Sequence, residues 1–129
     1  MARSVQPSLL NVADEGALLS QPWVGASWEG FVIEQTLGVL SARGTHVEAY
    51  YFRTSDQQEL DLVLDFGGEL WAVEVKLTSS PSSENMRRLN RTADLIKANR
   101  RFLVSRTSRA VGDADLVSCN LDAFLSHLP

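Results

Sequence analysis

The sequence predicts an α/β domain in which helices flank a mixed central β-sheet, in the order α-β-β-β-α-β-β-α. Three observations lead to this fold class. The chain has 129 residues, a length that suits one domain. Two segments with alternating apolar residues flank the pair Gly67-Gly68, as they do in a β-hairpin. Two longer segments, Ser27–Leu40 and Glu84–Asn99, repeat their apolar residues at helical spacing.

The first part of the chain is predicted to be an irregular arm followed by a helix. Residues 1–22 contain scattered Pro, Gly, Ser and Asn and predict at most one helical turn, at Asp14–Leu19, so the folded domain would span residues 23–129. Ser27 suits a helix N-cap, and Gly44 is placed to end the helix. The apolar side chains of this helix fall in one broad sector that would face the core: Trp28, Phe31, Val32, Ile33, Val39 and Leu40.

Three strands are predicted next, at His46–Arg53, Glu59–Asp65 and Glu69–Lys76. In the second strand the alternation would place three leucines on one face: Leu60, Leu62 and Leu64. After a loop, Ser82 or Ser83 would cap the second helix. The remaining predicted elements are a strand at Phe102–Ser105, a loop at Arg106–Gly112, a strand at Ala114–Cys119 and a helix at Leu121–Leu128.

Composition excludes several function classes. The single cysteine, Cys119, leaves no intrachain disulfide and no cysteine-rich zinc site, and His46 and His127 are not at ligand spacing. No segment approaches the ~20 apolar residues of a bilayer span, and the N-terminus lacks the pattern of a signal peptide. We therefore expect a cytoplasmic protein with no membrane contact.

Charge is distributed unevenly along the chain. The net charge is −4, but residues 1–75 carry −8 and residues 76–109 carry +7. Within this basic band, Arg87, Arg88 and Arg91 would cluster on the face of the second helix opposite its apolar stripe. That face has two interpretations: it contacts nucleic-acid phosphates, or it is an ordinary solvated surface.

The hairpin register predicts a cluster of charges at one end of the sheet. If Gly67-Gly68 forms the loop, Asp61 lies opposite Glu74 and Glu59 lies opposite Lys76, all on one face. Two opposed carboxylates repel each other unless one is protonated or a cation lies between them. Oxygen ligands of this kind suit Mg²⁺ or Mn²⁺, and Lys76 would reach over the same site.

The first helix supports this site. On its helical wheel Glu29 falls inside the apolar sector, whereas Glu34 lies on the polar side. A carboxylate that faces the sheet is costly without a partner. A cation site on the sheet would supply that partner.

The motif Asp61…Glu74-Val75-Lys76 resembles the D…ExK signature of the PD-(D/E)XK nuclease superfamily, which has the restriction-endonuclease-like fold. The wider pattern, over about residues 12–128, is similar to a nuclease-like domain of unknown function that follows an ATPase module in many prokaryotic AAA-type ATPases. The matching segments are Gly25-x-x-Trp28-Glu29-x-Phe31-Val32, Tyr50-Tyr51-Phe52-Arg53-Thr54, Glu59-Leu60-Asp61-Leu62-Val63 and Ala72-Val73-Glu74-Val75-Lys76. Asp14-Glu15-Gly16 matches the family's preceding Asp-x-Gly-Leu segment except that Ala17 replaces the leucine.

The resemblance implies roles for four residues. Asp61 and Glu74 would bind Mg²⁺ or Mn²⁺, Lys76 would be the catalytic lysine, and Glu29 the helix carboxylate. The implied activity is metal-dependent phosphodiester hydrolysis of nucleic acid, with DNA expected ahead of RNA, and double-strand cleavage would require a homodimer. The alternative is a non-catalytic module of the same fold that docks an ATPase or another partner chain; no P-loop motif occurs in this chain itself.

Overall fold

A computed structural model describes residues 27–129, and in this range the chain forms three helices and one six-stranded sheet. The elements, in chain order, are α1 (Ser27–Ala42), β1 (Glu48–Arg53), β2 (Glu59–Asp65), β3 (Leu70–Val75), α2 (Ser83–Leu95), β4 (Arg100–Ser105), β5 (Val111–Gly112), β6 (Leu116–Asn120) and α3 (Leu121–His127). The predicted arm, its helical turn at Asp14–Leu19 and the domain boundary at residue 23 lie outside the described residues.

The sheet is mixed, as predicted, with strand order β1-β2-β3-β4-β6-β5. Strands β1, β2 and β3 form an antiparallel meander, whereas β3, β4 and β6 run parallel to one another. The short edge strand β5 pairs antiparallel with β6 and lies within the segment predicted to be a loop. The predicted α/β class is confirmed, with this strand as an addition to the predicted order.

Helices cover both faces of the sheet. The larger core cluster lies under α1 and α3, where Val32, Phe102 and Phe124 are fully buried. The smaller cluster lies under α2, where Leu89 packs on Leu103 and its neighbours. Because helices bury both faces of the sheet, the strands carry apolar residues on both sides. None of the helices in residues 27–129 is long and apolar enough to cross a bilayer.

One sequence prediction fails in β2, where Leu60, Leu62 and Leu64 do not share a face. Leu62 and Leu64 belong to the cluster under α1 and α3, whereas Leu60 belongs to the cluster under α2. The cause is a β-bulge: Tyr50 pairs with Val63 and Phe52 with Leu60, so one residue of β1 opposes two of β2. The two bulged residues are Asp61 and Leu62.

The helix boundaries also differ from the predictions. Helix α2 ends at Leu95 rather than Asn99, because Lys97 adopts a left-handed conformation (φ 56°) and the amide of Ala98 turns back to the Ala93 carbonyl. At its start, Ser82 is the N-cap and shares a capping box with Asn85, which confirms one of the two predicted caps.

In α1 the predicted apolar sector is only partly buried. Val32 and Leu40 are in the core, but the Phe31 side chain is 46% exposed. The helix ends before Gly44, whose positive φ of 70° matches its predicted role.

Candidate functional site

The four predicted site residues converge at one end of the sheet. Glu29 lies in the first turn of α1, Asp61 near the start of β2, Glu74 near the end of β3 and Lys76 directly after β3. The predicted hairpin register is confirmed from Asp65–Leu70 to Leu62–Val73, and the next step along this register joins Asp61 and Glu74.

Asp61 lies where the ladder between β2 and β3 ends. Its Oδ2 accepts a hydrogen bond from the Val75 amide at 2.7 Å. A side-chain carboxylate thus takes the place that a backbone carbonyl would hold in a continued ladder. The bulge at Asp61 and Leu62 coincides with this position, as bulges often do where a side chain is redirected at a site.

The predicted opposition of Glu59 and Lys76 is absent. Because the ladder stops at Leu62–Val73, these two residues form no strand pair. Glu59 instead lies opposite Arg53 in the ladder with β1 and accepts a hydrogen bond from the Tyr51 hydroxyl. Burial and this hydrogen bond to Glu59 together raise the pKa of Tyr51. Lys76 pairs with Glu74, with 3.5 Å between Nζ and Oε2.

Crowding and burial of the carboxylates shift their acidities. Loss of solvent, followed by the charges of Glu74 and Glu29, raises the pKa of Asp61 to about 9. Loss of solvent also raises the pKa of Glu74 to about 7, although the Lys76 ammonium opposes this shift. Burial raises the pKa of Glu29, which shares a hydrogen bond with Asp61. At neutral pH and with no cation bound, Asp61 would therefore keep a proton that it would lose in water.

One carboxylate oxygen of Glu74 has no hydrogen-bond partner. This oxygen, Oε1, is buried, while the Glu74 side chain is 14% exposed. A buried carboxylate oxygen without a partner is costly, and a cation would remove the cost. Within residues 27–129 no group of three or more Asp, Glu, His or Cys side chains is at metal-ligand spacing. Two carboxylates with several waters are a ligand set that Mg²⁺ accepts, so Asp61 and Glu74 fit such an ion.

Trp28 connects the helix that carries Glu29 to the strand that carries Glu74. Its indole Nε1 donates a hydrogen bond to the Lys76 carbonyl at 3.2 Å. The sequence predicted only a core role for this tryptophan, and the side chain is partly buried as well as hydrogen-bonded. The contact fixes the first turn of α1 beside the end of β3.

A cleft of about 260 Å³ on the α2 side of the sheet is lined by Glu74 and Lys76, whereas Asp61 and Glu29 do not line it. Of the three predicted nucleic-acid-binding arginines, Arg88 and Arg91 line it together with Glu74 and Lys76. Arg87 does not; its exposed side chain pairs with Glu84 at 2.6 Å. Six further residues line the cleft although the sequence does not predict them as site residues: Asp56, Gln57, Gln58, Asn85, Leu89 and Thr92. The first three lie between β1 and β2, where the composition of residues 54–58 indicates a turn and gives no sign of a ligand site.

The fold and the site together define a mixed α/β domain with a buried acidic centre at the end of its sheet, next to a cleft lined by three basic and three acidic residues. Residues 24–124 match the family described as a domain of unknown function, DUF4143, and the chain belongs to this family. It is 38% identical, over 128 residues and 93% of its length, to uncharacterized proteins of Mycobacterium bovis (Mb2031c) and Mycobacterium tuberculosis (Rv2008c). The chain spans about a quarter of each relative, because the match covers 28% of the relative's length. No solved structure matches the chain.

Proposed function

We propose that this domain is a divalent-metal-dependent nuclease of the PD-(D/E)XK type that hydrolyses phosphodiester bonds of nucleic acid. The observation that carries the proposal is that Asp61, Glu74 and Lys76 meet at one end of the sheet, where Oε1 of Glu74 is buried and has no hydrogen-bond partner. A purely structural ion pair would not require a second carboxylate beside the first. A cation explains both carboxylates at once.

The three basic residues of the cleft, Lys76, Arg88 and Arg91, support a phosphodiester substrate. Asp61 and Glu74 would hold Mg²⁺ or Mn²⁺, which on binding would neutralise the scissile phosphate and lower the pKa of the attacking water. Lys76 lies within reach of Glu74 and would orient that water or stabilise the developing phosphate charge. Glu29 would accept or hold a proton through its hydrogen bond with Asp61.

The two arginines of the cleft would position the substrate. Arg88 and Arg91 are exposed and line the cleft with Lys76, so they can contact phosphates on either side of the scissile bond. Arg87 is already paired with Glu84 and contributes less. DNA is the expected substrate ahead of RNA, and cutting both strands of a duplex would require a homodimer of this one-site domain.

The experiment is a cleavage assay with fluorescein-labelled DNA in Mg²⁺, Mn²⁺ or EDTA. We expect activity only with a metal ion, and its loss in Glu74→Gln and Lys76→Ala, whose circular dichroism should match that of the wild type. Removal of one such group from a catalytic set typically reduces the rate by 10²-fold or more. Equal activity in EDTA, or in either variant, would overturn the proposal.

A second function has support from one observation. The chain spans 28% of each relative, so most of each relative lies outside the matched region. A non-catalytic domain that docks an ATPase or another partner chain would also fit such an arrangement. This alternative predicts no metal-dependent cleavage and no stabilisation by Mn²⁺.

A further inference from the structure

The turn between β1 and β2 carries two glutamine side chains to the cleft. Gln57 and Gln58 line it together with Glu74 and Lys76. The turn is closed by backbone hydrogen bonds, from the Thr54 amide to the Gln58 carbonyl at 2.8 Å and from the Gln57 amide to the Thr54 carbonyl at 3.0 Å. The Thr54 hydroxyl also accepts from the amides of Asp56 and Gln58. The turn therefore holds a fixed shape before any ligand binds.

Gln57 occupies a backbone conformation that suits glycine better. Its φ of 66° lies in the left-handed region, which side chains with a Cβ enter only at a steric cost. Lys97, with φ 56°, is the other such residue in the described range, and it does not line the cleft. A hairpin loop of this type requires a left-handed residue at this position, and glycine is the usual residue there. A side chain at position 57 thus occurs against the preference of the backbone.

The amides of the two glutamines are available for a ligand. Among residues 27–129, neither side chain forms a hydrogen bond; Gln57 is exposed and Gln58 is half-buried. A carboxamide offers one acceptor and two donor hydrogens, and this combination pairs with the N6 and N7 edge of adenine in the major groove. The arginines of the cleft can contact phosphates but cannot distinguish bases through them.

We propose that Gln57 determines base specificity: its amide hydrogen-bonds the edge of a base next to the scissile phosphate, with adenine preferred, and Gln58 supports this contact. The inference rests on the proposed nuclease function. Arg88 and Arg91 would then position the substrate, and the β1–β2 turn would recognise the base.

The test compares Gln57→Gly with Lys97→Gly as a matched control. A DNA library randomised around its centre is cleaved in Mn²⁺ in single- and double-stranded form, and the bases flanking each cut are counted. For the wild type we expect adenine to be enriched at one position by roughly five-fold or more. Gln57→Gly should lose the enrichment while its melting temperature stays equal or rises, because glycine relieves the left-handed backbone. Lys97→Gly should show the same thermal effect and keep the enrichment.

The possible failures are distinguishable. Cutting by the wild type without base preference, or an unchanged preference in Gln57→Gly, overturns the inference and leaves the nuclease proposal standing. A lower melting temperature of Gln57→Gly together with uniformly reduced cutting assigns the residue a structural role and also overturns it. Absence of metal-dependent cutting by the wild type overturns the proposed function, and the inference with it.

Discussion

Replacing Asp61 by Asn separates the charge of this residue from its hydrogen bond. The Asn carbonyl can still accept from the Val75 amide, as Asp61 Oδ2 does at 2.7 Å, and the new amide hydrogens would face the carboxylates of Glu29 and Glu74. In EDTA near pH 7.5 the variant should therefore be more stable than the wild type. With Mn²⁺ it should lack the stabilisation that the wild type gains.

The size of this difference in stability follows from the raised pKa of Asp61. The pKa of Asp61 is raised from 3.8 to about 9, so folding at pH 7.5 requires this carboxyl to take up a proton. Each pKa unit corresponds to roughly 1.4 kcal/mol. Over the interval from 3.8 to pH 7.5, the cost for an isolated group would be about 5 kcal/mol. Coupling among the carboxylates and relaxation of the site reduce this cost, and we expect the variant to be about 2 kcal/mol more stable, on the order of 6–10 °C in melting temperature. Mn²⁺ at ten times its dissociation constant should stabilise the wild type by about 1.4 kcal/mol.

The assay is thermal unfolding of both proteins in EDTA and in millimolar Mn²⁺, with Asp65→Asn as the control. Asp65 lies on the same strand, and its Oδ1 accepts from the Gly68 amide at 2.7 Å, so this variant also removes one charge and keeps one acceptor. Equal stability of Asp61→Asn and Asp65→Asn in EDTA, or lower stability of Asp61→Asn, would contradict the predicted repulsion at Asp61. Equal Mn²⁺ shifts in Asp61→Asn and the wild type would place the metal elsewhere.

Two further predictions concern the cleft and the acidity of the site. The double variant Arg88→Ala/Arg91→Ala should weaken DNA binding, and the slope of log binding constant against log salt concentration should become shallower by roughly 0.9 per lost phosphate contact. Arg87→Ala should change the affinity and the slope less, because Arg87 is paired with Glu84. Equal effects of the two variants would indicate that Arg88 and Arg91 form an ordinary solvated surface. In EDTA the wild type should lose stability as the pH rises from about 4 to about 9, because folded Asp61 and Glu74 (pKa about 9 and about 7) keep protons that the unfolded chain releases; a flat profile of melting temperature against pH would contradict this.

The part of the site that depends on the hairpin could be predicted from the sequence. A two-residue turn fixes the register of both strands, and Gly67 and Gly68 have the positive φ values of 75° and 110° that such a turn needs. The register then follows residue by residue, which is why Asp61 and Glu74 could be placed on adjacent strands at one end of the sheet. Glu29 could be predicted because a carboxylate in an apolar sector requires a partner.

The bulge in β2 could not be predicted, and the reason is physical. Helices cover both faces of the sheet, so apolar residues on either face are buried, and the spacing of leucines does not reveal a change of face. Leu60 and Val63 pack toward α2, although simple alternation would separate them. The end of α2 was also mispredicted, because Lys97 adopts a conformation that its residue type does not signal.

Asp61 has two roles in this site, one as a hydrogen-bond acceptor for the backbone and one as a member of the carboxylate cluster. It accepts the Val75 amide where strand pairing stops, and it lies among carboxylates whose charges oppose its own. The hydrogen bond keeps the side chain in place, so repulsion cannot be relieved by movement and must be relieved by neutralisation. A proton and a divalent cation are alternative ways to neutralise the same buried charge, and metal binding must displace the proton. The domain should therefore depend on the cation most strongly at alkaline pH, where the proton is least available, and least at acidic pH, where the protonated centre is already compatible with the fold.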